Sequence, residues 1–458
     1  MPGYNFSMVP KTVPKVKTKY REISTQIPTP GTKEIFDRLN NVESRSMHGQ
    51  LPIVWNKAED FSVYDIANNK WIDFTSTIFV ANVGHSNPRV TAAIKDTLDQ
   101  PLYSCYAYAN PSRALYLEKL VEFAGKPFEK AFLMSAGTEA TEAAMKLMRM
   151  HGDRVGKRKR GIICIENNWH GRTLGAQMLS SNLDQRAWIG YQDSNIHHIP
   201  FPYPWHIKDQ SGEEFLHKGL QNLNDNGVDL QKDVCGVMLE TFQGWGAIFY
   251  PEDFVKAIEN YCHDNNALLA FDEMQSGFGR TGRNFGFQHY DVKPDLICTG
   301  KGMGGGVPIS GVIGRSEIMD LPSVGNMSST HSANPLVCAA GLAVLEELDT
   351  KNLVLEADRK GKLFLAELKN IKRRFPKRIS WVLGRGMIMA ILFVNPKTGK
   401  PDGFFASKVA EKCMQKGLLV VHTGRESIKL GPPLTIPDDA LQEGLDILSE
   451  SIAELEVI

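Results

Sequence analysis

Two short apolar runs, each ending in a reactive side chain, constrain this chain more than any other feature. Ala267-Leu268-Leu269-Ala270-Phe271 is bounded by polar residues and has the length of a strand buried in a parallel sheet, and Asp272 stands where it ends. Leu296-Ile297-Cys298 is the second run, and it leads into Thr299-Gly300-Lys301. Four of the five residues after Lys301 are glycine. An acid and a lysine, twenty-nine residues apart, thus leave two strand ends. In open α/β sheets the reacting groups collect at the carboxyl ends of the strands.

Glycine neighbours let the Lys301 amine approach a flat ligand closely. A buried lysine loses its charge readily and condenses with an aldehyde. Pyridoxal 5'-phosphate (PLP) needs such a lysine, together with an acid that keeps its ring nitrogen protonated. Lys301 and Asp272 suit those two roles. Two other patterns carry less. Gly277-Phe278-Gly279-Arg280-Thr281-Gly282 satisfies G-x-G-x-x-G, but it lies deep in the chain within a longer pattern. Gly300-Lys301 resembles the end of a P-loop, yet Gly302 stands where Ser or Thr is required.

The sequences FDEMQSGFGRTGR at 271–283 and TGKGMGGGVPIS at 299–310 resemble the class III aminotransferases of PLP fold type I. That family includes the 4-aminobutyrate and ornithine aminotransferases, and acid, glutamine and lysine fall here at its spacing. The resemblance covers roughly residues 45–455. It implies an α/β fold: a large domain with a mostly parallel seven-stranded sheet, and a small α+β domain from both chain ends. The expected division is 1–75 for an N-terminal arm and part of the small domain, 76–350 for the large PLP-binding domain and 351–458 for the C-terminal small domain.

Composition sets outer limits. Lysine plus arginine and aspartate plus glutamate are 52 each, which gives no hint of nucleic-acid or acidic-membrane partners. The seven scattered cysteines include no C-x-x-C and suggest reduced thiols in a cytoplasmic setting. No apolar run approaches the ~18 residues of a membrane span. The histidines at 197, 198 and 206 lack the spacing of a metal site, so no metal is expected.

Other segments gain meaning from the resemblance. Ser135-Ala136-Gly137-Thr138-Glu139 runs from a strand into a helix. Small residues there leave backbone N–H groups for a phosphate, although an ordinary helix cap would read the same way. Asn167-Asn168-Trp169-His170-Gly171-Arg172-Thr173 resembles the family's aromatic-His-Gly-Arg-Thr, with Trp169 to stack on the cofactor. Arg172 is either an anion clamp for substrate or a member of a surface ion pair. Tyr106 lies in an aromatic loop that either packs or lines the substrate pocket. Carried over residue by residue, the resemblance assigns Gly137, Thr138, Trp169, Glu240, Asp272, Met274, Gln275, Lys301 and Thr330 to the cofactor. It assigns Tyr106, Arg172, Trp245, Lys429 and Arg425 to the substrate. Lys301 and Asp272 are the expected catalytic pair, and Gln275 is expected to hydrogen-bond the ring oxygen. Thr330 is expected to reach the phosphate in the neighbouring subunit, which implies a homodimer, with a tetramer as the alternative.

Two positions depart from the family. After Glu240 most members read Glu-Pro-x-Gln-Gly, and those using glutamate as donor often continue Glu-Gly; here Thr241 replaces the proline and Trp245 the glutamate. The family's Ile-Arg-x-x-Pro-Pro-Leu becomes Ile428-Lys429-Leu430-Gly431-Pro432-Pro433-Leu434, with lysine for the carboxylate-binding arginine. The expected reaction is aminotransfer from a primary, ω-type amine to an oxo acid, pyruvate before 2-oxoglutarate. The alternative is a PLP-dependent lyase releasing ammonia or phosphate from a phospho- or phosphono-ethanolamine-type amine.

Overall fold

The computed structural model describes residues 4–47, 49–100, 102–207 and 209–456. The chain forms two compact units, one of Pro88–Gly244 and Ile248–Val354, the other of Met1–Asn87, Trp245–Ala247 and Leu355–Ile458.

The first unit is built on a seven-stranded sheet. Its strands are β1 (Lys130–Met134), β2 (Gly161–Ile165), β3 (Ile196–Ile199), β4 (Val234–Glu240), β5 (Leu268–Asp272), β6 (Leu296–Thr299) and β7 (Ser310–Gly314). In space they run β1-β7-β6-β5-β4-β2-β3. Strands β3, β2, β4, β5 and β6 are mutually parallel, and β7 is antiparallel to both β6 and β1. The carboxyl ends of β1, β2, β4, β5 and β6 therefore share one edge. Strands β2, β4, β5 and β6 are buried along their whole length. That explains their near-continuous apolar sequences, since both faces of a parallel sheet are covered.

The helix α1 (Gly137–Arg154) lies against this sheet. Ala140, Ala143, Ala144, Leu147 and Met148 recur at helical spacing and pack on Ile162, Met238, Leu268 and Val312. Cys164, Cys235 and Cys298 fill the same core as small apolar groups, and burial pushes each thiol up. All seven cysteines are free thiols.

The second unit combines a six-stranded and a four-stranded sheet. The first contains Trp55–Glu59, Ser62–Asp65 and Lys70–Asp73 as an antiparallel meander, and Leu418–Leu419 pairs in parallel with Lys70–Asp73. In the second, Ser427–Leu430 lies between Ile388–Phe393 and Val421–His422. The strand Trp55–Glu59 is largely exposed, and its residues carry no apolar alternation to mark it in the sequence. A helix runs over Leu353–Arg374, and its first turns, largely charged and containing a glycine, do not mark its start in the sequence.

One turn of the second unit is strained. Ser76, Thr77, Ile78 and Phe79 have φ of 45, 50, 61 and 70°, all left-handed and none of them glycine. Each such residue costs roughly 1–2 kcal/mol. The turn is held from several sides. Asp73 accepts from the backbone N–H of Thr75 (2.7 Å) and Ser76 (3.0 Å) and from His85 Nε2 (2.7 Å), and Ser76 Oγ donates to the Gly431 carbonyl at 2.7 Å.

No helix among the described residues is long and apolar enough to cross a membrane.

Candidate active site

The carboxyl edge of the seven-stranded sheet gathers the chemistry. Register places Asp272 of β5 level with Glu240 of β4 and Cys298 of β6. Lys301 follows three residues after Cys298. Trp169 and His170 come from the loop after β2, and Gly137 and Thr138 from the start of α1 after β1. Gly137, Thr138, Trp169, Glu240, Asp272, Met274, Gln275 and Lys301 all line one cavity of about 200 Å³. Eight of the nine residues assigned to the cofactor thus meet within a single unit.

The acid is fixed from two sides. Asp272 is buried, its Oδ1 accepts from the Met274 backbone N–H at 3.0 Å, and its Oδ2 accepts from His170 Nδ1 at 2.8 Å. His170 is itself buried, and its Nε2 has no protein partner. Sequence reasoning quoted His170 within a motif but gave it no role, because a contact across 102 residues leaves no local signal.

Lys301 is half-buried and has a left-handed φ of 45°. Strain of this kind persists only where the surroundings over-determine it, and it clusters at functional sites. Desolvation pushes the Lys301 amine below its ordinary value, against the opposing pull of the Asp272 and Glu240 carboxylates. A larger share of the amine is therefore neutral near neutral pH than for a surface lysine.

Ala136 precedes α1 and offers no side-chain cap, so no capping side chain competes for the Gly137 and Thr138 amides, whereas the Glu139 N–H donates to the Ala136 carbonyl at 3.0 Å. Thr138 Oγ1 lies 2.6 Å from Thr173 Oγ1, which donates to Glu142 at 2.6 Å. Glu142 also accepts from the backbone N–H groups of Gly175 and Ala176. Met274 occupies a narrow slot: a Cβ at Gly137 would lie 2.8 Å from its Sδ, and one at Gly300 2.7 Å. The two glycines therefore let the helix start and the lysine loop close on one thioether. Gly244 serves the same end, since a Cβ there would stand 2.4 Å from Gln275 Nε2.

Glu273, next to Asp272, was not singled out from the sequence. It is fully buried and accepts four hydrogen bonds, from Thr241 Oγ1, Ser276 Oγ and the backbone N–H groups of Gly286 and Phe287, at 2.6–2.7 Å. Burial raises its carboxyl value and these donors oppose the rise.

These residues fit PLP: a desolvated lysine, a fixed acid, an aromatic ring and a helix start face one cavity. Two further residues of this unit lie elsewhere. Thr330 is exposed and lines a different cavity with Ser135, Glu139 and Lys146. Tyr106 is exposed and lines a third with Arg113. Arg172 is exposed and lays its guanidinium on the Trp169 ring at 4.4 Å. Trp245, Arg425 and Lys429 belong to the other unit. There Arg425 stacks on the Trp245 ring at 3.9 Å, and the Lys429 amine lies 4.8 Å from the Phe79 ring centroid. No group of metal-ligating side chains occurs among the described residues.

The family model of aminotransferase class-III matches residues 44–452. A 4-aminobutyrate aminotransferase of Mycobacterium leprae is 31% identical over 450 residues, covering 95% of this chain and 98% of that protein. A leucine/methionine racemase of Thermococcus litoralis is 32% identical over 433 residues, covering 93% and 96%. The crystal structure of an ornithine aminotransferase from Toxoplasma gondii superposes with a TM-score of 0.81 at 26% identity, covering 93% of this chain and 96% of that one.

Proposed function

Because this chain belongs to the class III aminotransferases, PLP-dependent enzymes that pass an amino group from an amine to an oxo acid, we propose that its own cofactor and proton-transfer residues are those around Lys301. PLP, when bound, supplies an aldehyde for amines and a protonated ring that withdraws electrons from the neighbouring carbon. Lys301 is the group that anchors it, and the same amine moves the proton at the carbon bearing the substrate nitrogen. Asp272 holds the proton on the ring nitrogen, and His170 holds Asp272. The amides at Gly137 and Thr138 would receive the phosphate, and Trp169, Met274, Gln275 and Glu240 would hold the ring. The support for this reading is one observation: all of these residues line the same cavity, where Lys301 is desolvated.

The finer reading is an ω-type primary amine as donor, with pyruvate preferred over 2-oxoglutarate. Trp245 and Lys429 support it, standing where glutamate-using relatives carry glutamate and arginine. A lysine offers a point charge where arginine offers a planar fork, a difference of about ten- to a hundredfold in carboxylate binding. Tyr106 and Arg172 are proposed as further substrate contacts. Thr330 is proposed to act on the cofactor of a second copy, in a homodimer.

The test is a product assay on the purified holoenzyme with ω-amines, using pyruvate, 2-oxoglutarate or no acceptor. Alanine formation with pyruvate, lost in Lys301→Ala, is the expected result. Efficient transfer to 2-oxoglutarate would overturn the acceptor reading. Ammonia or phosphate release without any oxo acid would establish the lyase alternative instead. Normal turnover by Lys301→Ala would sink the whole assignment.

A further inference from the structure

Thr173 stands at the N-cap position of the helix Leu174–Leu179, where a threonine hydroxyl ordinarily accepts from one of the first free amides. Here it makes no such bond. The carboxylate of Glu142, from the second turn of α1, takes the Gly175 and Ala176 amides instead, at 2.8 and 3.1 Å. The Thr173 hydroxyl is turned away from its own helix. It donates to Glu142 Oε1 at 2.6 Å and lies 2.6 Å from Thr138 Oγ1. The Thr173 N–H also donates to Thr138 Oγ1, at 3.3 Å. Thr138 lines the cavity of Lys301, whereas Glu142 lines a different one with Thr330.

The proton positions follow from what each group can donate. A hydroxyl has one proton, and a carboxylate only accepts. Glu142 takes the Thr173 proton, so the proton between the two threonines is that of Thr138. The Thr138 hydroxyl is thereby aimed at the loop, and Thr138 is left its backbone N–H for an anion. Two further features hold the loop to α1. Gly171 has a φ of 143°, and a Cβ there would lie 2.3 Å from Thr138 Oγ1, so glycine is what lets the loop come this close. Thr141, one turn on from Thr138, donates to the His170 carbonyl at 2.8 Å.

We propose that Glu142 and Thr173 are positioning residues for the phosphate of PLP. They act through Thr138 and not by contact. The chain from Glu142 to Thr173 to Thr138 fixes the first turn of α1 before the phosphate arrives, so less order has to be gained on binding. An anion as close as two hydroxyls to a phosphate site is otherwise a liability, and its use here as a proton acceptor accounts for its presence. The proposal rests on the assignment of the phosphate to Gly137 and Thr138 above.

The test is an absorbance titration of the full-length apoprotein with PLP and with pyridoxal, the same aldehyde without the phosphate. The ratio of the two affinities reads the phosphate site alone. In Thr173→Val and in Glu142→Ala the ratio should fall about tenfold. In Thr173→Ser, which keeps the hydroxyl, it should stay near the parent value. Thr173 is exposed, so its substitutions leave the core intact. Thr138→Val should lower the ratio as much as Thr173→Val, and the double variant no more than either, because each breaks the same chain. Additive losses would show that the Thr138 hydroxyl reaches the phosphate by itself, which overturns the proposal. Equal losses for PLP and pyridoxal would identify a purely structural role and overturn it too, as would an unchanged ratio in Thr173→Val and Glu142→Ala. In each of those cases a parent preference for PLP leaves the functional reading standing. A parent protein that favours PLP no more than pyridoxal would remove the phosphate from Gly137 and Thr138, and that reading would fall together with the proposal.

Discussion

Lys301 carries two costs at once, a left-handed backbone and a desolvated amine, and both have measurable consequences. Its value in the folded apoprotein lies below the 10.5 of an ordinary lysine. Between those two values the unfolded chain binds a proton that the folded chain does not. The stability contributed by this residue therefore rises with pH across that window and is lower beneath it. Urea melts of the apoprotein from pH 7 to 10 should show this upward slope in the parent and a shallower one in Lys301→Met. Asp272 pulls the amine the other way, so Asp272→Asn should move the pH midpoint of cofactor uptake further down. The same substitution should lower turnover by about 10²–10³-fold or more, because a preorganised charge at the reacting ring is lost. Near-normal turnover in Asp272→Asn would mean that the carboxylate is structural.

At the scale of elements, the loop after β5 depends on a side chain that the chemistry does not use. Glu273 gathers four donors from Thr241, Ser276, Gly286 and Phe287 and so ties the end of β5 to the segment after β4 and to residues 286–287. Glu273→Gln would turn an NH₂ group toward donors and remove charge-assisted bonds. A loss of at least about 2 kcal/mol is expected, read as a lower urea midpoint at unchanged slope, with the cofactor still bound in the folded fraction. An unchanged midpoint would show that water replaces the lost bonds. This loop also marks how far the sequence could be read. Strands β2, β4, β5 and β6 were legible because burial on both faces writes a continuous apolar run. Asp272 and Lys301 were legible because each stands where such a run stops. Glu273 and His170 were not, since their partners are brought in by tertiary packing. Nor was the turn at residues 76–79, where Thr77, Ile78 and Phe79 carry no glycine to signal a positive φ.

For the whole molecule, the position of Thr330 yields a prediction about assembly. It is exposed and lines a cavity other than that of Lys301 in its own chain. If it serves a second copy, Thr330→Val should weaken PLP binding about tenfold or more through loss of a hydrogen bond to phosphate. A hybrid pairing one Lys301→Ala subunit with one Thr330→Val subunit should then contain one fully intact site and bind PLP there with parental affinity. If Thr330 instead serves its own chain, the remaining lysine site of that hybrid shows the weakened affinity. Titration of tagged, co-expressed hybrids with PLP separates the two outcomes.

The pairing of Lys70–Asp73 with Leu418–Leu419 has a consequence in time. The two partners lie about 350 residues apart, and the fully buried Trp71 completes its surroundings through a hydrogen bond from Nε1 to the Met414 carbonyl at 2.7 Å. A ribosome adding 5–20 residues per second leaves that indole without its partner for roughly 20–70 s. The sheet carrying the lysine is translated in full during that interval. The N-terminal segment thus waits as an open strand edge, and any chaperone that attends this chain during synthesis has that edge to guard.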